Sequence, residues 1–337
     1  MRRVFTSLLV ALFAAVLLLF GAALWWLREP MPLRLPPGSQ VIDLEIEPGT
    51  SANGVAEAVV ASGADVPVLW LQAWFRLSGQ ARMIKAGSYE LVPGTAPRKL
   101  LSMLVRGEET LKSVTLVEGW TFRQVLAALQ KSEQLAPDSI GLSPEMIMEK
   151  LGKPGVHPEG RFFPDTYTYA KGASDLAVLK RATRAMDQRL STAWARRSPD
   201  TPLKTPDEAL ILASIVEKET GKPADRPQIG GVFSNRLRLD MPLQTDPSVI
   251  YGLGPQFAGN LRKRDLQTDT PYNTYTRVGL PPTPIAMPGR AALLAAVQPA
   301  PTKALYFVSR NDGSGSSEFS SNLEEHNRAV NKYIRGQ

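Results

Sequence analysis

The chain of 337 residues has no cysteine and only two histidines. Disulfides, thiolate nucleophiles and Cys-ligated zinc are therefore excluded. His157 and His326 fall in no HExxH or other ligand spacing, so a histidine-rich metal site is not expected. Charge of one sign is in shorter supply: 32 acids face 39 bases, a net +7 and a pI near 9.6. That balance suits an anionic partner such as nucleic acid, a phospholipid surface or an acidic wall polymer. The bases are scattered and no aromatics are interleaved with them, so nucleic acid is not an expected partner. With 43% hydrophobic and 21% charged residues the chain can build an ordinary core and is not of the disordered class. Its length fits one large domain or two to three small ones.

Long apolar runs are also scarce, with one exception at the start. "RRVFTSLLVALFAAVLLLFGAALWWLRE" carries an apolar run from Val4 to Leu27 interrupted only by Thr6 and Ser7. At 1.5 Å per helical residue it can cross a hydrocarbon core of about 30 Å. It is longer than a signal-peptide core, and Trp25, Trp26 and Arg28 stand where a cleavage site would be. Arg2 and Arg3 favour a cytoplasmic N-terminus, and the tryptophan pair suits the far interface. The expectation is a single N-terminal anchor over residues 1–28, with the rest of the chain outside the cytoplasm. A cleaved signal peptide is the other reading.

Residues 29–40, "EPMPLRLPPGSQ", read as a proline-rich spacer. Then one pattern is written three times: a strand, a Pro-Gly or Glu-Gly turn and a helix. The first copy has Val41, Ile42, Leu44 and Ile46, then Pro48-Gly49, then a helix over Ser51–Ala61, and a further helix spans Val66–Leu77. The second has Tyr89, Leu91 and Val92, Pro93-Gly94, and a helix with Leu100, Leu101, Leu104 and Val105. The third has Val114–Val117, Glu118-Gly119, and a helix over Thr121–Leu129 with a capping box at Thr121 and Gln124. The first two copies, residues 41–110, resemble a LysM-like accessory module; a plain α+β accessory domain is the alternative.

Residues 111–337 read as a mixed α+β domain. "EGRFFPDTYTY" is dense in aromatic and polar groups, and Asp175–Trp194 is helical. Thr205, Pro206 and Glu208 open a helix that runs to Thr220 and stops at Gly221 and Pro223. Another helix covers Arg226–Leu239, and "AALLAAVQPA", "ALYFVSR" and "SNLEEHNRAVNKYI" give a helix, a strand and a last helix. Between them lie long proline-rich loops carrying Gln244, Thr245, Asp246, Tyr251, Tyr272, Asn273, Thr274 and Tyr275. Such side chains can hydrogen-bond hydroxyls and acetamides and stack on sugar faces, or they can shape turns and fill a satellite core.

"LILASIVEKETGKP", residues 210–223, is an apolar helix ending in Glu217, Lys218 and Glu219. A helix C-terminus repels negative charge, so a carboxylate there has its proton affinity raised, as a general acid requires. On an ideal helix Glu219 continues the stripe of Leu212, Ile215 and Val216, where desolvation adds to the effect. Glu217 projects from nearly the opposite side with Leu210, Ala213 and Ser214. For either glutamate a salt bridge to Lys218, Lys222 or an arginine is the bland alternative.

"ASIVEKET", "EGRFFPDTY", "NRLRLDMPLQTDPSVIYG" and "TPYNTYTRVGLPPTPIAMPG" together resemble the YceG-like family of endolytic murein transglycosylases. The resemblance covers nearly the whole chain, and it implies an anchor, a LysM-like region and a catalytic domain in that order. It implies cleavage of the β-1,4 bond between N-acetylmuramic acid and N-acetylglucosamine within nascent glycan strands, beside the peptidoglycan synthases (penicillin-binding proteins). The family's catalytic glutamate maps to Glu219, with Glu217 as a supporting residue or the alternative. Gln244, Thr245, Asp246, Tyr251, Tyr272, Asn273 and Tyr275 are then the substrate-binding candidates. A glycosidase usually needs two carboxylates, whereas a lytic transglycosylase can use one, because the muramic acid C6 hydroxyl closes a 1,6-anhydro ring. Neither cofactor nor metal is implied. The location implied is the inner membrane, with the catalytic domain in the periplasm. A hydrolase using Asp246 or Asp165 as second carboxylate, and a membrane-anchored protein that only grips glycan, are the rival readings.

Overall fold

The computed structural model describes residues 2–35, 41–108 and 111–336, without the side chains of residues 2–11. The chain divides into two compact units, residues 1–112 and 113–337.

The first unit opens with helix α1 (Arg2–Trp26). Among the described residues no helix is long and apolar enough to cross a membrane. The expected span Val4–Leu27 falls in part on residues 4–11, whose side chains lie outside the described ones. Strand β1 (Ile42–Ile46) alternates buried Ile42, Leu44 and Ile46 with exposed Asp43 and Glu45, the period-2 pattern of a strand with one covered face. It is followed by α2 (Ala52–Ala61), α3 (Val68–Leu77), β2 (Gly87–Leu91) and α4 (Pro97–Arg106). β1 and β2 pair antiparallel, from Ile42 opposite Leu91 to Ile46 opposite Gly87. Their covered face packs on Val55, Val59, Leu71, Phe75, Leu100 and Leu104, all fully buried. So the first two strand–turn–helix copies interleave into one small sheet under three helices. Ser51 caps α2 by accepting from Gly54 N–H, and α4 runs from Pro97 in its first turn to left-handed Gly107. Residues 31–34, expected as spacer, are fastened to this unit: Met31 is buried, its N–H donates to Thr95, and Arg34 N–H donates to Gly63. Residues 36–40 of that spacer lie outside the described residues.

Strand β3 (Leu111–Thr115) leads into the second unit, where it pairs with β4 (Thr166–Ala170) beside helices α5 (Phe122–Lys131), α6 (Pro144–Lys150) and α7 (Asp175–Ala195). The unit's remaining elements are α8 (Pro206–Glu219), α9 (Arg226–Arg238), α10 (Asp246–Leu253), α11 (Lys263–Gln267), α12 (Arg290–Val297), β5 (Tyr306–Ser309), β6 (Ser317–Ser320) and α13 (Leu323–Val330). One core joins β3, β4, α5, α6 and one face of α7. The other joins α7, α8, α9 and α12. Helix α8 lies in the middle of the latter: Ala209, Leu210 and every residue from Leu212 to Val216 are buried. A helix apolar all round must be enclosed on all sides, and α12, α9 and α7 enclose it. Gly230 of α9 permits this, since a Cβ there would stand 2.3 Å from the Ala295 carbonyl oxygen of α12. The end of α8 is thus held rigidly where its glutamates emerge.

Candidate active site

Burial alone does not separate the two glutamates of α8. Their partners do. The Glu217 side chain is only 4% exposed, and Arg226 forms an ion pair with its Oε1 at 3.0 Å. Its Oε2 accepts the N–H of Gly289 at 2.9 Å. Gly289 is the N-cap residue of α12, so Glu217 brings its charge to the favourable end of that helix. Desolvation raises the Glu217 pKa, while Gly289 and Arg226 oppose the rise. Glu217 ties α8, α9 and α12 together.

Glu219 is half-buried and has no ion pair among the described residues. Burial lifts its pKa to about 7; the Thr245 hydroxyl opposes the rise, nearby Asp246 adds to it and Arg236 opposes it. Thr245 Oγ1 donates a hydrogen bond to Glu219 Oε1. Thr245 is buried at the N-cap position of α10, yet its side chain does not cap that helix; the hydroxyl is given to Glu219 instead. The loop bearing Thr245 is fixed by Arg236, a buried cation that donates to the carbonyls of Pro242, Leu243 and Leu305 and to Gln244 Oε1. Thr245 N–H donates to Thr274 Oγ1 at 3.0 Å, and Gln244 N–H donates to the Thr274 carbonyl. Tyr275 Oη donates to Asp246 at 2.5 Å. Thr245, Asp246 and Tyr275 are therefore brought together beside Glu219 through the pairing of the 242–246 and 272–276 loops, with Gln244 fastened to Arg236.

A second cluster stands on a cleft of about 1000 Å³. Tyr251, Tyr272, Ile250, Phe257, Lys218 and Glu159 line it. Tyr251 and Tyr272 pack edge to face with ring centres 5.0 Å apart. Glu159 is 4% exposed. Its Oε1 accepts the N–H of Phe122 in the first turn of α5, and its Oε2 accepts the Tyr251 hydroxyl at 3.1 Å. Burial raises the Glu159 pKa to about 7 against those hydrogen bonds. Glu219 is not itself a lining residue of this cleft; its chain neighbour Lys218 is, with Pro247, Ile250 and Tyr251 of α10.

The seven loop candidates thus divide. Tyr251 and Tyr272 face the cleft, Thr245 touches Glu219 with Asp246 near it and Tyr275 bonded to Asp246, and Gln244 holds Arg236. Asn273 belongs to neither group. It is fully buried, its amide donates to the carbonyls of Asp265, Leu266 and Thr268, and its Oδ1 accepts from Tyr275 N–H. Both ends of the amide are occupied by its own loop. Asp165 accepts the N–H of Thr166, a turn-shaping contact at the start of β4. Glu159 and Arg236 join the site from outside the expected set. The first stands in the aromatic-rich "EGRFFPDTY" before Gly160, whose φ of +77° marks a tight turn; the second is one arginine of several in "NRLRLD". Among the described residues no cluster of His, Cys, Asp and Glu could hold a metal ion.

Two enclosed carboxylates poised near neutrality, one of them on a tyrosine-lined cleft, define a site suited to general acid–base chemistry. The chain matches the YceG-like family over residues 44–332, and it belongs to that family, as the four motifs led one to expect. The endolytic murein transglycosylase of Bacillus subtilis (strain 168) is 30% identical over 311 residues, 87% of this chain and 85% of the relative. The endolytic murein transglycosylase of Streptococcus pneumoniae (strain D39) is 29% identical over 287 residues, 75% of this chain; this chain spans 51% of that protein's length. A 2.6 Å crystal structure of a yceG-like protein from Listeria monocytogenes superposes with a TM-score of 0.51 at 28% identity, covering 86% of this chain and 99% of that one.

Proposed function

We propose that this chain is an endolytic murein transglycosylase, the activity for which its relatives are named, and that Glu219 is its acid–base residue. It cuts the β-1,4 bond between N-acetylmuramic acid and N-acetylglucosamine inside peptidoglycan strands. The observation that carries the role of Glu219 is its setting: a carboxylate in the last turn of buried α8 that accepts the Thr245 hydroxyl and has no ion pair among the described residues, so that burial pushes its pKa up to about 7. Such a group is half acid and half carboxylate at neutral pH, as needed by one residue that must act in both senses. As acid, it protonates the leaving O4 while the C1–O4 bond breaks; the substrate's 2-acetamido group stabilises the cationic centre. As carboxylate, it takes the proton of the muramic acid C6 hydroxyl while O6 bonds to C1. No water is consumed, and the product ends in a 1,6-anhydro ring. Thr245 steadies the carboxylate form, and the tyrosine-lined cleft offers stacking faces to the sugars.

In the same reading Val4–Leu27 anchors the chain in the inner membrane with its N-terminus in the cytoplasm. The LysM-like module (residues 41–110) and the catalytic domain (residues 111–337) then lie in the periplasm, beside penicillin-binding proteins whose strands it terminates. The apolar run and Arg2 and Arg3 support that placement.

One observation favours a second reading: Glu159, not Glu219, lines the cleft, which would make Glu159 the acid. Mass spectrometry of the products formed from purified glycan strands in ¹⁸O-water tests the reaction itself. Internal cuts with anhydro ends and no incorporated ¹⁸O are expected. Reducing ends carrying ¹⁸O would show a hydrolase, and uncut strands would show a wall-binding protein.

A further inference from the structure

Helix α3 of the first unit has two apolar faces. Leu71 and Phe75 are fully buried in the unit's core. The opposite stripe is apolar as well: Leu69 is 74% exposed, Trp70 54% and Leu77 83%, with exposed Ala73 and Arg76 between them. Spaced i, i+1, i+4, i+7 and i+8, these five residues occupy one arc of about 120° on the helix. A helix with apolar residues on two faces needs cover on both, and among the described residues only the face of Leu71 and Phe75 is fully buried.

The uncovered stripe is continuous with α1. Trp26 packs edge-on against Trp70, ring centres 5.3 Å apart. A groove of about 490 Å³ is lined by apolar residues of both helices, with Trp26, Trp70 and Trp74 on it. Along α1, Leu17, Leu18, Leu19 and Phe20 are exposed too. The charge pattern agrees. From Val66 to Tyr89 there is no acidic residue, while Arg76, Arg82 and Lys85 are present; from Met1 to Arg28 there is again none.

We propose that the outer face of α3 is a membrane-docking surface. Leu69, Trp70 and Leu77 enter the headgroup–acyl boundary of the bilayer that holds α1, and Arg76 and Arg82 meet anionic phospholipid headgroups. Tryptophan is enriched at that boundary, and a helix presenting apolar residues flanked by cations is the kind that lies in its plane. Docking fixes the first unit against the membrane surface instead of leaving it to swing on α1. The proposal rests on the anchor reading of α1, and the test keeps the two apart.

The chain has no cysteine, so single-cysteine variants of the full protein can carry an environment-sensitive fluorophore. L69C and L77C probe α3, L18C probes α1, and D312C in the polar β5–β6 turn reports water. All four positions are exposed, so the cores are untouched. The proteins are reconstituted in phosphatidylcholine–phosphatidylglycerol vesicles, with and without lipids carrying a quencher near the headgroup. Lipid quenching at 69 and 77, comparable with that at 18 and absent at 312, is expected. Replacing Arg76 and Arg82 by glutamine should lower the docking equilibrium constant by about fivefold per charge in these vesicles and little in pure phosphatidylcholine. Quenching at 18 with 69 and 77 as water-exposed as 312 would overturn docking and leave the anchor standing. Labels at 69 and 77 shielded from water but untouched by lipid quencher would mean that protein, such as a second copy, covers the face, and would overturn it too. An unquenched probe at 18 refutes the anchor; the response at 69 and 77 still decides docking.

Discussion

Replacing Thr245 by valine removes one hydroxyl from behind Glu219 and little else. Valine keeps the shape, and the backbone N–H to Thr274 is unaffected. The lost hydrogen bond stabilises the carboxylate form of Glu219. Hydrogen bonds to charged groups are worth about 1.5–3 kcal/mol, and one pKa unit corresponds to about 1.4 kcal/mol. The Glu219 pKa should therefore climb from about 7 by roughly one to two units. If Glu219 is the acid, activity falls as pH rises through its pKa. The alkaline limb of kcat/KM in Thr245→Val should then move upward by that amount. The assay is release of anhydro-ended glycan from isolated sacculi between pH 5 and 10. Tyr251→Phe is the counterpart, because Tyr251 donates to Glu159. It should leave the limb in place if Glu219 is the acid and raise it if Glu159 is. An unmoved limb in Thr245→Val, together with a raised one in Tyr251→Phe, would refute the assignment to Glu219.

Glu159 also has a stability signature. Its native pKa of about 7 exceeds the ordinary 4.5, so the native state holds the proton more tightly than the unfolded chain. That contribution is intact below pH 4.5 and is lost as pH rises to about 7, at an upper cost of about 3 kcal/mol. Glu159→Gln should flatten the fall of Tm between pH 5 and 8; parallel Tm curves for parent and variant would show that the carboxyl is not shifted. Glu217→Gln loses a buried ion pair with Arg226 and weakens the link to α12, so unfolding by denaturant should show a loss of about 1.5–3 kcal/mol, with cleavage retained by the folded fraction. Gly230→Ala forces α9 away from α12, and about 1–3 kcal/mol of destabilisation is expected in the same measurement; an unchanged midpoint would mean the helices separate freely.

Local chemistry was readable in the sequence where it is self-contained. The capping box at Thr121 and Gln124 and the start at Thr205 and Pro206 fixed their helices because each device satisfies backbone groups within a few residues. The apolar run of α8, interrupted only by Ser214, announced a buried helix, and the clash of its last turn with charge singled out Glu217 and Glu219. What separates the two is long-range: Arg226 and Gly289 on one side, Thr245 on the other, none inferable from helical spacing. The interleaving of the first two strand–turn–helix copies was invisible for the same reason, since pairing partners lie far apart in the chain. Asn273 misleads because a side chain able to bind an acetamide is equally able to bind its own loop. Glu159 escaped because nothing around it in the sequence shows that Phe122 and Tyr251 converge on it.

The central claim is that one carboxylate, Glu219, performs both proton transfers. Glu219→Gln keeps the size, and its amide oxygen can still accept from Thr245, so the variant should fold and bind glycan strands as the parent does. Its anhydro-ended products, counted by mass spectrometry after incubation with purified strands, should fall by at least the roughly 10²–10⁴-fold that acid–base catalysis supplies. Anhydro products at the parental rate from folded, glycan-binding Glu219→Gln would contradict the account.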